Sequence, residues 1–150
     1  MSKILYFIYQ FSYILHQNNI PLLPSLINKI FIRLMLGCHI GLGAKIGKGT
    51  ILGYGGLGIV IHHRSVIGEN VLIHTGVTLG GTSKKYEVPV IGDNCIISSG
   101  AKVIGPVKIG KNCIVGANAV VLTDIPDNSI VVGIPAKIIK RDINIFDYRN

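Results

Sequence analysis

Aliphatic side chains recur every six residues through most of this chain. Ile91, Ile97, Val103, Ile109, Val115 and Val121 keep the step unbroken, and four residues after each stand Cys95, Ala101, Val107, Cys113, Ala119 and Ile125. An earlier run gives Ile61, Ile67, Ile73 and Leu79, with Ser65, Val71 and Val77 four positions on. The first run gives Ile40, Ile46 and Leu52, with Ala44 and Thr50. A period of six matches neither an amphipathic helix nor strand alternation. It matches a solenoid in which each hexad is one short strand plus a turn, and three hexads close a triangular coil. The large aliphatic and the compact residue then both face the core, and successive coils stack at ~4.8 Å. Cys95 and Cys113, one full coil apart, are expected to stack inside one corner as core fillers, with a metal or disulfide role as the alternative.

The period breaks twice. Three extra residues fall around Tyr54–Gly58 (YGGLG), and Gly80–Pro89 (GGTSKKYEVP) departs from the inward pattern. The second stretch reads as a loop thrown out of the coil, and such loops on rigid scaffolds commonly carry function. Pro126 and Pro135 are expected to stop the repeat before a basic tail. Residues 1–37 differ: 3–16 and 25–37 are apolar at helical spacing, the second stretch closed by Gly37. The expected organisation is therefore a helical N-terminal cap over 1–37, an all-β solenoid domain over 38–141 with loop 80–89, and a tail over 142–150.

Apolar residues make up 49% of the chain and charged ones 15%, enough to bury a core in one domain. The net charge of +8 suits an anionic ligand or partner. The basic residues are scattered without stacking aromatics, so no nucleic-acid role is expected. The apolar cap suggests packing on a partner or on the main body, with a weak peripheral membrane contact as the sharper reading. The odd set Cys38, Cys95 and Cys113 has no metal-ligand spacing, so no metal is expected. With no signal-peptide pattern, a reducing cytoplasm is the expected location.

The stretches "GLGIVIHHRSVIGENVLIHTGVTLGGTS" and "IGDNCIISSGAKVIGPVKIGKNCIVGANAVVLTDIPDNSIVVGIPAKII" resemble the serine acetyltransferase family and its short relatives in polysaccharide biosynthesis. The similarity covers roughly 38–140. It implies a left-handed parallel β-helix, a homotrimer or dimer of trimers, acetyl-CoA as donor, a histidine base, and active sites in grooves between subunits. The family's Asp falls on His39, and its Asp-His pair falls on Gly53–Tyr54. These departures, and a helical region under forty residues, point to a sugar hydroxyl as acceptor and to the polysaccharide relatives. L-Serine, for cysteine synthesis, is the alternative, and an inactive scaffold the second one.

Acetyl transfer from a thioester needs a base for the acceptor hydroxyl and donors for the oxyanion. Register places His39, the His62–His63 pair and Gly80–Gly81 at one corner, with Tyr54 beside it. His62 and His63 are the first candidates for the base, and His39 a base or an orienter. Tyr54, Gly80 and Gly81 are expected to bind substrate. Glu69 and His74 stand farther round, and His16 is structural. For CoA, the resemblance points to Gly100, Ala101, Gly116, Ala117 and Lys137. Lys140 and Arg141 join them as charges for its phosphates.

Overall fold

The structure, a computed structural model, describes residues 2–149. The hexad pattern produces a left-handed parallel β-helix of triangular section. Sheet 1 stacks His39–Ile40, Val60–Ile61, Thr78–Gly80, Lys102–Ile104 and Val120–Val121. Sheet 2 stacks Lys45–Ile46, Val66–Ile67, Val90–Ile91 and Lys108–Ile109. Sheet 3 stacks Ile51–Leu52, Leu72–Ile73, Ile96–Ile97, Ile114–Val115 and Ile130–Val132, and ends on the antiparallel strand Lys137–Lys140. The chain turns from sheet 1 to sheet 2 at a first corner, to sheet 3 at a second, and back to sheet 1 at a third.

Every residue assigned inward by the period is buried, including the polar Thr50 and Ser65. Register follows the same rule: Ile40 pairs Ile61, Ile61 pairs Leu79, and Val103 pairs both Leu79 and Val121. Cys95 and Cys113 are buried, free thiols whose sulfurs donate to the Gly110 and Pro126 carbonyls at 3.0 and 3.1 Å. They fill the second corner and form no disulfide.

The second corner also carries a ladder that the aliphatic period does not announce. Asn70, Asn94, Asn112 and Asn128 all have positive φ. Asn94 Nδ2 donates to Asn112 Oδ1 at 3.2 Å, and Asn112 Nδ2 donates to Asn128 Oδ1 at 2.9 Å. Asparagine tolerates the left-handed conformation of the turn, and its amide then links one coil to the next.

At the N-terminal end, helix α1 (Ser2–Gln17) lies across the open mouth of the prism. Leu5 and Tyr9 are fully buried against it. The Tyr9 hydroxyl donates to the carbonyls of Gly41 at 3.0 Å and Ala44 at 2.7 Å. Gln10 Nε2 donates to Ile46 O at 2.9 Å. A short helix α2 (Leu23–Ile27) runs on into a wider π-helical stretch, Asn28–Met35. Asn28 there donates to Ile40 O at 2.7 Å. The cap therefore supplies the donors that a next coil would otherwise supply to the first one.

The other end departs from expectation. The repeat passes Pro126 and continues through Ile130–Val132, and residues beyond 141 are no free tail. Ile143 and Ile145 are buried with Ile96, against Leu72, Ile114 and Ile130 on the outer face of sheet 3. That face carries an apolar outward ladder, and the returning chain covers it.

Candidate functional site

The first corner gathers the largest set of expected groups. His62 follows the inward Ile61, and its amide donates to Leu79 O at 2.9 Å, which sets the pair one coil from Gly80. The His62 and His63 rings stack with centroids 4.3 Å apart and 30° between planes. Gly41 lies beneath them: a Cβ there would stand 2.6 Å from His63 Cα and N, so the coil below must present glycine.

The backbone N–H of Arg64 donates to His62 Nδ1 at 3.2 Å. A neutral imidazole that accepts at Nδ1 carries its hydrogen on Nε2. That Nε2 edge faces the start of the loop, where a Cβ on Gly81 would lie 3.8 Å away. Burial holds the His62 pKa below the ordinary histidine value, helped by the neighbouring His63 and Arg64. His62 is thus a neutral ring that offers a hydrogen-bond donor toward Gly81, while His63 beside it is exposed.

Arg64 ties the loop down. Its guanidinium stacks on the Tyr86 ring at 4.3 Å and donates to Tyr86 O at 2.7 Å. Val88 and Pro89 are buried, so the loop returns to the coil through a packed stem. A cleft of about 240 Å³ opens between Arg64, Tyr86, Val88, Pro106 and Lys108. On the acetyl transfer that the resemblance implies, cutting out Ser83–Glu87, which spares the buried Val88, is expected to leave the β-helix folded and raise both Michaelis constants several-fold. Arg64→Ala is expected to act in the same direction more weakly. Steady-state kinetics check both, and unchanged constants in the deletion would reduce the loop to a connection.

Two expected members stand elsewhere. His39 pairs Val60, two positions before the corner, and lines a cleft of about 190 Å³ with Ser25, Asn28, Lys29, Arg33 and Leu42 of the cap and first coil. It opens toward the cap rather than toward Gly81. Tyr54 sits at the third corner, because the insertion follows the sheet 3 strand Ile51–Leu52 and precedes sheet 1. Its ring meets His74 edge-on, with centroids 6.4 Å apart. The whole width of sheet 1 separates it from the histidine pair. His16 is exposed near the end of α1.

The residues matched to CoA collect mostly at that third corner. Gly100 stacks on Gly76 there, and Gly116 and Ala117 lie one coil on. Ala101 is fully buried, its amide donates to Ser98 O, and its carbonyl accepts from Thr78 N. It therefore acts as a core filler. Lys102, which the motif does not single out, reaches the corner instead. Its ammonium donates to Gly76 O at 2.6 Å and Gly100 O at 2.9 Å. Lys137 pairs Val132 at the third-corner end of its strand. Lys140 stands at the other end, opposite Ile130, and donates to the Tyr148 hydroxyl at 3.1 Å. Lys140 and Lys137 therefore do not form one phosphate site, and Arg141 follows Lys140 on the exposed surface. Among the described residues, no three His, Cys, Asp or Glu side chains cluster as metal ligands.

Comparison with known proteins agrees with this architecture. Residues 89–123 match the bacterial transferase hexapeptide (six repeats) family. Serine acetyltransferase of Staphylococcus aureus strain Mu50 is 50% identical over 112 residues, which are 73% of this chain and 52% of that protein. Serine acetyltransferase of Synechococcus elongatus is 38% identical over 129 residues, 85% of this chain and 52% of that protein. A solved serine acetyltransferase in complex with CoA superposes with a TM-score of 0.79 at 34% identity, over 88% of this chain and 54% of that one. The chain spans about half the length of the curated relatives it matches. These relatives carry the serine acetyltransferase name rather than that of the polysaccharide branch. By its hexapeptide repeats, its sequence and its left-handed β-helix, the chain is a homologue of the serine acetyltransferases over the stretch it shares with them.

Proposed function

We propose that this chain is an acetyl-CoA-dependent O-acetyltransferase whose chemistry is carried by His63 and His62. One observation carries the division of labour: the Arg64 N–H bond to His62 Nδ1, which leaves Nε2 as a donor beside the stacked, exposed His63. His63 takes the proton of the acceptor hydroxyl while that oxygen attacks the thioester carbonyl carbon. His62 Nε2–H donates to the carbonyl oxygen as it gains negative charge. The C–S bond then breaks, and the departing thiolate takes the proton back from His63. The products are an acetyl ester and a free thiol.

The CoA-bound relative and the family name support acetyl-CoA as donor. In this chain Gly100, Gly116 and Ala117 leave the two coils of the third corner that follow His74 bare of bulky side chains. Lys102 and Lys137 place positive charge nearby. Because the third corner and the histidine pair lie on opposite edges of sheet 1, CoA held by one copy meets the histidines of a neighbour in a homotrimer. Light scattering on active enzyme is expected to give three chain masses, and a fully active single chain would overturn this arrangement. The reading places the reaction in the cytoplasm, where the three thiols stay reduced.

The relatives' names put L-serine first among acceptors. The sugar-hydroxyl reading retains a specific motive: His39 and Gly53–Tyr54 stand where the family's acidic residue and Asp-His pair are expected, and Tyr54 is 75% exposed. Thiol release from acetyl-CoA, measured with L-serine and then with a sugar panel, separates them. CoA binding without thiol release for any acceptor would instead leave a scaffold.

A further inference from the structure

Half of the described large apolar side chains that remain exposed lie between Ile4 and Met35, although this cap also plugs the β-helix. Helix α1 has two apolar stripes. Leu5 and Tyr9 face the coils and Ser12 faces α2, where its hydroxyl donates to Pro24 O at 3.0 Å; all three are buried. Ile4, Phe7, Phe11 and Ile14 repeat at three- and four-residue spacing on the opposite side, 55–68% exposed. Phe7 and Phe11 continue into a shallow apolar groove with Ile8, Ile27 and Phe31, and Leu34 and Met35 extend the surface at 78% and 68% exposure.

Charge selects what this surface fits. No acidic residue occurs before Glu69, whereas Lys3, Lys29, Arg33, Lys45, Lys48 and Arg64 all do. The basic groups of the cap, Lys3, Lys29 and Arg33, are exposed, Lys29 and Arg33 at the cleft they share with His39. Two copies joined face to face would bring these cations together with no carboxylate to balance them. An anionic lipid surface balances them and also takes up the aromatic rings, the pattern of an amphipathic helix lying in the headgroup plane. No helix of the described residues is long and apolar enough to cross a membrane: the 16 residues of α1, at ~1.5 Å each, fall short of the ~30 Å hydrocarbon core.

We infer that the exposed face of the N-terminal cap docks this protein on anionic membrane, with Phe7, Phe11 and Phe31 inserted at the interface and Lys3, Lys29 and Arg33 among the headgroups. The docking needs no acetyl transfer and stands apart from the proposed reaction. It also explains why an end cap carries apolar residues on the side that touches no coil.

Vesicle sedimentation of the full chain tests it. The protein is expected to pellet with phosphatidylcholine vesicles containing phosphatidylglycerol, and far less with phosphatidylcholine alone. The triple variant Phe7→Ser, Phe11→Ser, Phe31→Ser is expected to bind at least about tenfold more weakly. Lys29→Glu with Arg33→Glu, at exposed positions that leave the packing alone, is expected to cost roughly tenfold or more on anionic vesicles and little on neutral ones. Circular dichroism confirms that each variant is folded. Two results overturn the inference: absence of anionic-vesicle binding by the wild type, or a wild type whose mass in solution falls when the phenylalanines are replaced, which would assign the face to a second copy.

Discussion

His63→Ala is expected to lower kcat by a factor of about 10² to 10⁴, the usual loss for a positioned general base, with CoA affinity nearly unchanged. His62→Ala is expected to cost about 10² to 10³, the usual loss for one oxyanion donor. Glutamine separates the two roles. His62→Gln returns an N–H close to where Nε2 stood and is expected to recover much of the loss. His63→Gln recovers nothing, because an amide nitrogen accepts no proton.

The pH profile gives an independent reading of the same pair. A histidine base works only when neutral, so kcat is expected to rise with pH through the histidine range. His62 has its pKa depressed by burial, with the neighbouring His63 and Arg64 adding to the effect. It therefore stays neutral, with Nδ1 accepting from Arg64 N–H and Nε2 donating, at pH values where an unperturbed histidine is already partly charged. The acid limb is expected to persist in His62→Gln and to vanish from the residual rate of His63→Gln. Tolerance of alanine at position 63 within a few-fold would sink the assignment. His62, His39, His74 and Tyr54 would then be the groups to test.

Tyr9→Ala is expected to destabilise the fold by about 3–5 kcal/mol, as for other buried aromatic truncations, and to lower Tm by roughly 10 °C. The ring closes the mouth of the prism, and its loss opens the first coil to water. Tyr9→Phe keeps the ring and removes only the donor to Gly41 O and Ala44 O, so about 0.5–1.5 kcal/mol is expected. Gly41 O still accepts from the Ala44 amide, which limits that cost. Burial pushes the Tyr9 pKa well above the ordinary phenol value, so the hydroxyl stays a donor and the Phe variant's deficit is expected to be flat with pH. Thermal unfolding measures both variants. If alanine costs no more than phenylalanine does, the cap is not a structural plug.

The core of this protein was readable in one dimension. A six-residue period fixes which side chains face inward, and eighteen-residue offsets fix which ones stack, so Leu79 over Ile61 and Cys113 over Cys95 follow from spacing alone. The His62–His63 pair beside Gly80–Gly81 was readable in the same way, because both lie one coil apart in uninterrupted register. Legibility ended where the register did. The insertion at Gly53–Gly56 carried Tyr54 to the far edge of sheet 1, since the corner it occupies depends on which strand it follows. Two prolines suggested an end, yet the chain makes another strand and folds Ile143 and Ile145 back over sheet 3, a choice driven by apolar surface formed from residues distant in sequence. The hydrogen on His62 Nε2 depends on one backbone N–H two residues on, whose direction no side-chain pattern encodes. Helix α1 shows the same limit: its sequence carries two apolar stripes, and only packing against the first coil decides that Tyr9 is buried while Phe7 and Phe11 are left facing outward. Local spacing sets the repeat because each hexad meets its neighbours at a fixed offset. Caps, insertions and tautomers are set by contacts between segments that share no offset.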